Sequence, residues 1–110
     1  MSVPEPLRGD VWDIRFPSPV GEHSAVVLSA NMLNVRLATA VVAVITGTEG
    51  PSATHIRLDT DAGLTRYDES WVNIADLHSV ARARFRRQCG RVSLGELRSI
   101  SDGVRVYLGL

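Results

Sequence analysis

Apolar residues in this chain come in short runs, cut off repeatedly by proline, glycine or clustered polar residues. The longest run, Ala40 to Ile45, is valine-rich and lies between Thr39 and the polar stretch Thr46-Gly47-Thr48-Glu49-Gly50-Pro51. Runs this short and this rich in β-branched residues suit strands and cannot supply the stripes of several long helices. They also fall far below the ~20 residues needed to cross a bilayer. From Val11 the pattern alternates, with Trp12, Ile14 and Phe16 on one face and Asp13 and Arg15 on the other, the period of a half-buried strand. Pro17-Ser18-Pro19-Val20-Gly21 ends it, because proline cannot continue a ladder and glycine permits a sharp turn. Ala25 to Leu28 reads as a strand buried on both faces, and Ser29 as the cap of a helical turn through Asn31 to Asn34. Thr39 to Ile45, Thr54 to Leu58, Ser70 to Ile74, Leu77 to Val80 and part of Phe85 to Val92 read as further strands. Asp59, Asp61, Gly63 and Asp68 mark the turn region between the second and third of these.

Only the last segment predicts a long helix. Ser93 and Glu96 have capping-box spacing, and Leu97, Ile100, Val104 and Leu108 recur at helical intervals. Gly95 and Gly103 each weaken that helix by about 1 kcal/mol relative to alanine, so packing must hold it. Several short strands followed by one packed helix predict a mainly β domain, a small curled sheet or barrel. With 110 residues there is material for one core. Residues 1–8, which hold two prolines, are expected to form a flexible arm, and residues 9–110 a single domain.

Charge narrows the function classes. Twelve basic residues, all arginine, balance twelve acidic ones, so the chain lacks the global positive field of a non-specific nucleic-acid binder. Arg82, Arg84, Arg86, Arg87 and Arg91 nevertheless cluster in a stretch without acid, where guanidinium forks suit phosphate or an acidic peptide. The lone Cys89 forms no internal disulfide and no zinc pair. No glycine-rich phosphate loop, nucleophile elbow, helical histidine pair or metal-binding carboxylate cluster occurs, and His23, His55 and His78 are scattered. The expectation is a soluble intracellular protein without signal segment, membrane span, metal or cofactor, whose catalysis, if any, runs on acid–base chemistry and charge stabilisation.

Several strings converge on one family. Arg8-Gly9-Asp10-Val11-Trp12 resembles the Arg-Gly-(Asp/Glu)-(Val/Ile)-Trp opening of MazF/PemK-like toxins. Ala25-Val26-Val27-Leu28-Ser29 with Leu33-Asn34, Val42-Ala43-Val44-Ile45-Thr46, Thr54-His55-Ile56-Arg57-Leu58 and Ser70-Trp71-Val72-Asn73 follow in the family's order, as does Gly90-Arg91-Val92-Ser93 through Leu108-Gly109-Leu110. The resemblance implies an SH3-like β-barrel with short helices and a C-terminal helix. It further implies a cytoplasmic homodimer and sequence-selective cleavage of single-stranded RNA by the toxin of a toxin–antitoxin pair. The partner it implies is an antitoxin with an acidic, disordered tail. Two departures stand out: His23-Ser24 occupies the place of the family's Arg-Pro, whose arginine is its main catalytic candidate, and Ala75-Asp76-Leu77-His78 replaces an Asp-Gln-Ile-Arg-like string.

Metal-free RNA cleavage uses the ribose 2′-hydroxyl as nucleophile and needs a base, an acid and donors on the phosphorane. His23 and Thr46 are the catalytic candidates: imidazole moves protons near neutral pH, and the Thr46 hydroxyl can donate to the phosphate. RNA contacts are expected from Ser24, Asn34, Thr48, Asn73 and His78, the last aligning with a family arginine, and antitoxin contacts from Arg82, Arg84, Arg86 and Arg87. Trp12 and Trp71 lie in apolar surroundings and read as core. Two other readings remain open. One is a degenerate member that only binds RNA or antitoxin. The other is a gyrase-binding inhibitor of the CcdB type, although the ending Tyr107-Leu108-Gly109-Leu110 lacks the Trp-Gly-Ile those toxins use.

Overall fold

The computed structural model describes residues 5–59, 63–64 and 68–110. Strands β1 (Asp10–Phe16), β2 (Gly21–Val27), β3 (Thr39–Thr46), β4 (His55–Leu58), β5 (Ser70–Ala81) and β6 (Phe85–Arg91) form one antiparallel sheet in the order β4-β5-β3-β2-β1-β6. Helix α1 (Asn31–Arg36) links β2 to β3, a 3₁₀ turn (Arg82–Arg84) links β5 to β6, and α2 (Leu94–Leu108) closes the chain. The edge strands β4 and β6 do not pair with each other, so the sheet is open and the expected closed SH3-like barrel is corrected to a curled six-stranded sheet with a C-terminal helix.

Parity along the strands sorts side chains into two cores. Val11, Val26, Ala43, Ile45, Leu58, Val72 and Ile74 face α2 and pack around Ile100. Ile14, Phe16, Ala25, Val27, Ala40, Val42, Val44, Val80 and Phe85 form the second core on the opposite face. That face carries no helix; the sheet buries it by curling on itself. Register shifts in β1 against β6 and in β3 against β5 supply bulges that sharpen such bending.

The capping box of α2 is present in both halves, Ser93 Oγ accepting from Glu96 N and Glu96 from Ser93 N. The helix lies closest to the sheet at Gly103, where a Cβ would sit 2.7 Å from Ile74 Cδ1. Leu108, placed by spacing on the apolar stripe, is exposed. Three local expectations change. Ser29 does not cap α1: Ala30 holds that position without a side-chain bond, while Ser29 Oγ accepts from Val41 N at 3.0 Å and bonds Asn34. The strands expected at Ser70 to Ile74 and Leu77 to Val80 are one, β5, running through Ala75-Asp76. Within the expected N-terminal arm, Pro6 is buried, its carbonyl accepts from Asn34 Nδ2, and the Arg8 guanidinium bonds Leu28 O and Ser101 Oγ. Asp61 of the expected turn lies outside the described residues.

Candidate active site

Antiparallel register brings the polar candidates together. Ala25 pairs with Val44 and Val27 with Val42, so the same register carried back along β2 sets His23 against Thr46, the last residue of β3. Thr46 pairs with Trp71 of β5, and two residues on, Asn73 pairs with His55, the first residue of β4. Opposed residues in an antiparallel ladder point to the same face. Val72, Ile74, Ile45 and Leu58 face α2, so Asn73, Thr46 and His55 project from the other face, as His23 does beside Ala25. There His23, Val44, Ile45, Thr46, Thr48, Glu49, His55, Asn73 and Asp76 line one cleft of about 260 Å³.

Hydrogen bonds leave this cleft with free donors. Thr46 Oγ1 accepts from Thr48 N at 3.2 Å, so its own proton remains to be given. Asn73 Oδ1 accepts from Ala75 N at 3.0 Å, which turns the amide NH₂ outward as donor. His23 Nε2 lies 3.1 Å from Val20 O; a carbonyl only accepts, so Nε2 carries the hydrogen and Nδ1 is the other, free nitrogen. His55 Nδ1 lies 2.9 Å from Thr54 Oγ1. Among the described residues lining the cleft there is no arginine.

The remaining candidates lie elsewhere. Ser24, the neighbour of His23, points to the α2 side of the sheet, where it is buried and donates to Asp13 Oδ1 at 2.8 Å. Asn34 is also buried, its amide donating to Ser29 O at 2.9 Å and Pro6 O at 3.3 Å, so it ties the segment before β1 to the turn after β2. His78 borders the cleft without lining it: Nε2 is 2.7 Å from Asp76 Oδ1, and its ring packs 5.0 Å from that of Phe16, which also touches the His23 ring. Arg84 donates to Arg15 O at 3.1 Å and Arg87 to Asp13 Oδ2 at 3.1 Å; Arg86 is exposed on edge strand β6. Arg82 buries Nε and Nη1 without a partner among the described residues. Trp71 is core, and half-buried Trp12 packs edge-on against Phe85 at 5.6 Å.

Two groups are electrostatically displaced. Burial works against the Asp13 charge, but hydrogen bonds from Ser24, Cys89 and Arg87 outweigh it and hold the carboxyl below its usual range. Burial, followed by the neighbouring Asp13 carboxylate, pushes the Cys89 thiol up, away from the reactive thiolate. No group of three or more His, Cys, Asp or Glu among the described residues could hold a metal ion, and no described helix is long and apolar enough to cross a membrane. Residues that sequence reasoning left out of the site are His55, Glu49 and Asp76. The alternation of His55 and Arg57 with Ile56 and Leu58 carried a signal for the first, but only strand pairing tells which strand it faces.

The sequence profile of the PemK-like, MazF-like toxins of type II toxin–antitoxin systems matches residues 7–108. The chain belongs to this family. Its fold is similar to several solved structures. An endoribonuclease from a mycobacterial species superposes with TM-score 0.83 at 21% identity, covering 100% of this chain and 97% of the other. An endoribonuclease in complex with its cognate antitoxin, also mycobacterial, gives 0.85 at 23% identity with 96% of each chain covered. The MazE–MazF complex of Deinococcus radiodurans gives 0.80 at 19% identity, covering 97% and 98%. Comparison with curated proteins by sequence yields no match. At the entry to β2, His23 lines the cleft while Ser24 turns to the other side of the sheet.

Proposed function

We propose that this MazF-like toxin is a metal-independent endoribonuclease that cleaves single-stranded RNA by attack of the 2′-hydroxyl on the adjacent phosphate. The observation that carries the reading is the shared cleft, in which an imidazole from β2 and a hydroxyl with an uncommitted proton from the end of β3 meet on one face. His23 transfers a proton, and Thr46 donates to the non-bridging oxygens as charge builds on phosphorus. Asn73 and Thr48 hold the RNA; His78, locked on Asp76, orders the wall beside His23.

The toxin acts as a cytoplasmic homodimer restrained by an antitoxin, residues 9–110 working as one domain. A second copy finds an apolar landing face in Met32, Leu33, Val35 and Leu37 of and after α1, all largely exposed and continuous with exposed Val41 of β3. The antitoxin's acidic tail is received by Arg82, Arg84, Arg86 and Arg87. A buried guanidinium without an acceptor is costly, and a carboxylate delivered to Arg82 relieves that cost. The unpaired side of β6 offers backbone groups for an added strand.

Incubation of the purified protein with a long single-stranded RNA in EDTA, followed by analysis of fragment ends, tests this. Fragments carry 2′,3′-cyclic phosphate and 5′-hydroxyl ends, and Thr46→Ala slows cleavage by ~10²-fold or more. RNA left intact by the wild-type protein refutes the enzymatic reading and leaves a binding-only member; inhibited gyrase with intact RNA would support the CcdB-type reading.

A further inference from the structure

Transfer to a 2′-hydroxyl requires two proton movements, and the cleft offers His23 for one of them. Resting on the reading of this cleft as an RNA-cleaving site, we infer that His55 is its second proton-transfer group and acts as the general base. Three features of the structure support the assignment. First, His55 lines the same cleft from the opposite edge of the sheet, on β4, beside the free amide of Asn73. Second, its ring is held in place. It lies flat against Gly50, where a Cβ would come within 2.6 Å of both ring nitrogens, and Nδ1 bonds Thr54 Oγ1 at 2.9 Å. Third, the hydrogen bonds admit the tautomer that a base needs. Thr54 Oγ1 lies 3.3 Å from Pro51 O and 2.9 Å from His55 Nδ1; with its proton given to Pro51 O it accepts from Nδ1–H. In that tautomer neutral His55 presents a bare Nε2, which has no partner among the described residues.

Charge bears on the assignment. The titratable and charged groups around the cleft are His23 from β2, Glu49 from the loop after β3, His55 from β4 and Asp76 from β5. With no arginine among the described lining residues, the two imidazoles are the only side chains among them able to become cationic. His23 gives its Nε2 hydrogen to a carbonyl oxygen, so Nδ1 is the nitrogen left to carry a proton to O5′. In the reaction His55 Nε2 takes the 2′ proton as the O2′–P bond forms. The P–O5′ bond breaks as His23 Nδ1–H gives its proton to O5′. The products are a 2′,3′-cyclic phosphate and a 5′-hydroxyl; His55 ends protonated, His23 neutral, and solvent restores both.

Single-turnover cleavage of a fluorogenic RNA oligonucleotide, alongside binding of the same oligonucleotide with a 2′-deoxy scissile position, reads the inference. His55→Ala lowers the cleavage rate ~10²–10⁴-fold, leaves deoxy-oligonucleotide affinity within a few-fold, and regains activity with added imidazole. The acid limb of the pH–rate profile, which reports deprotonation of the base, disappears in His55→Ala; the alkaline limb disappears in His23→Ala. Gly50→Ala, which pushes the ring out of its seat, produces a smaller loss of the same kind that imidazole also restores. A wild-type rate in His55→Ala overturns the inference while leaving the nuclease reading intact. A loss that imidazole does not restore, or that tracks lost affinity, makes His55 structural and overturns it as well. Loss of the alkaline limb in His55→Ala reverses the proton roles and overturns the assignment as base. A wild-type protein that cleaves no RNA removes the nuclease reading itself.

Discussion

Removal of the Ser24 hydroxyl separates an internal role from an RNA contact. Ser24 is 4% exposed and donates at 2.8 Å to Asp13, whose side chain is itself largely buried, whereas the Arg87 side chain that also bonds Asp13 is 69% exposed. A buried hydrogen bond to a charged acceptor is worth about 1.5–3 kcal/mol, and an exposed bridge at most about 1 kcal/mol after screening and side-chain entropy. Ser24→Ala therefore destabilises more than Arg87→Ala, although the latter removes a full charge. At ~4 °C per kcal/mol for a domain of this size the losses are about 6–12 °C and at most about 4 °C in Tm. The pH dependence has a definite sign. Asp13 has a lowered pKa in the folded chain, so through the carboxylate range the unfolded chain binds more protons. Its stabilising contribution is complete above the ordinary Asp value and is lost as pH falls through the lowered folded one; Asp13→Asn flattens that acid limb. Thermal melts from pH 7 downward measure both effects. Below the melting range, Ser24→Ala cleaves RNA within about twofold of wild type, because its side chain is on the far side of the sheet from the cleft. Arg87→Ala costing more than Ser24→Ala, or a folded Ser24→Ala with a large rate defect, would refute this account of the Asp13 cluster.

Other substitutions probe the packing and the two partner surfaces. In Gly103→Ala the new methyl meets fully buried Ile74 at 2.7 Å, so overpacking of about 1–3 kcal/mol outweighs the ~1 kcal/mol gain in helix propensity and urea midpoints fall. Gly95→Ala, whose Cβ meets nothing nearer than Ser93 Oγ at 3.9 Å, raises the midpoint instead. Leu37→Asp shifts sedimentation from dimer to monomer with an unchanged circular dichroism spectrum; a persistent dimer moves the interface off α1. Arg86→Glu slows association with an acidic antitoxin-tail peptide roughly tenfold at low salt and flattens its salt dependence, as expected for a steering charge.

Local pattern made the strands and the last helix legible, because strand parity and capping chemistry act within a few residues. Trp12, Ile14 and Phe16 alternate as read, and Ser93 with Glu96 closes the box that their spacing implies. Failures occurred where a distant partner decides. Ala75-Asp76 looked like a break, yet β3 pairs on both sides of it and Asn73 Oδ1 takes up the Ala75 amide, so β5 bends and continues. Ser29 had the chemistry of a cap, but the incoming Val41 amide and Asn34 claim its hydroxyl. Barrel closure depended on whether β4 reaches β6, a contact between remote segments that no local pattern encodes. His23-Ser24 shows the same limit within one dipeptide: in a strand the two must face opposite sides, and only the register against β1 and β3 decides which is buried.

The distribution of arginine gives this toxin a chemical character of its own. Arg8, Arg87 and Arg91 bind backbone carbonyls or carboxylates of β1 and β2 and their flanks, and Arg57 bridges Glu69, so these guanidinium groups join strands. None lies among the described residues of the cleft, where histidine stands at the position that the family resemblance gives to arginine. An arginine clamp stays charged at every accessible pH, but an imidazole holds a phosphate only while protonated. His23→Arg should therefore tighten binding of a non-cleavable 2′-deoxy RNA analogue at fixed salt and neutral pH. Equal affinity in wild type and His23→Arg would show that the phosphate is held outside this cleft.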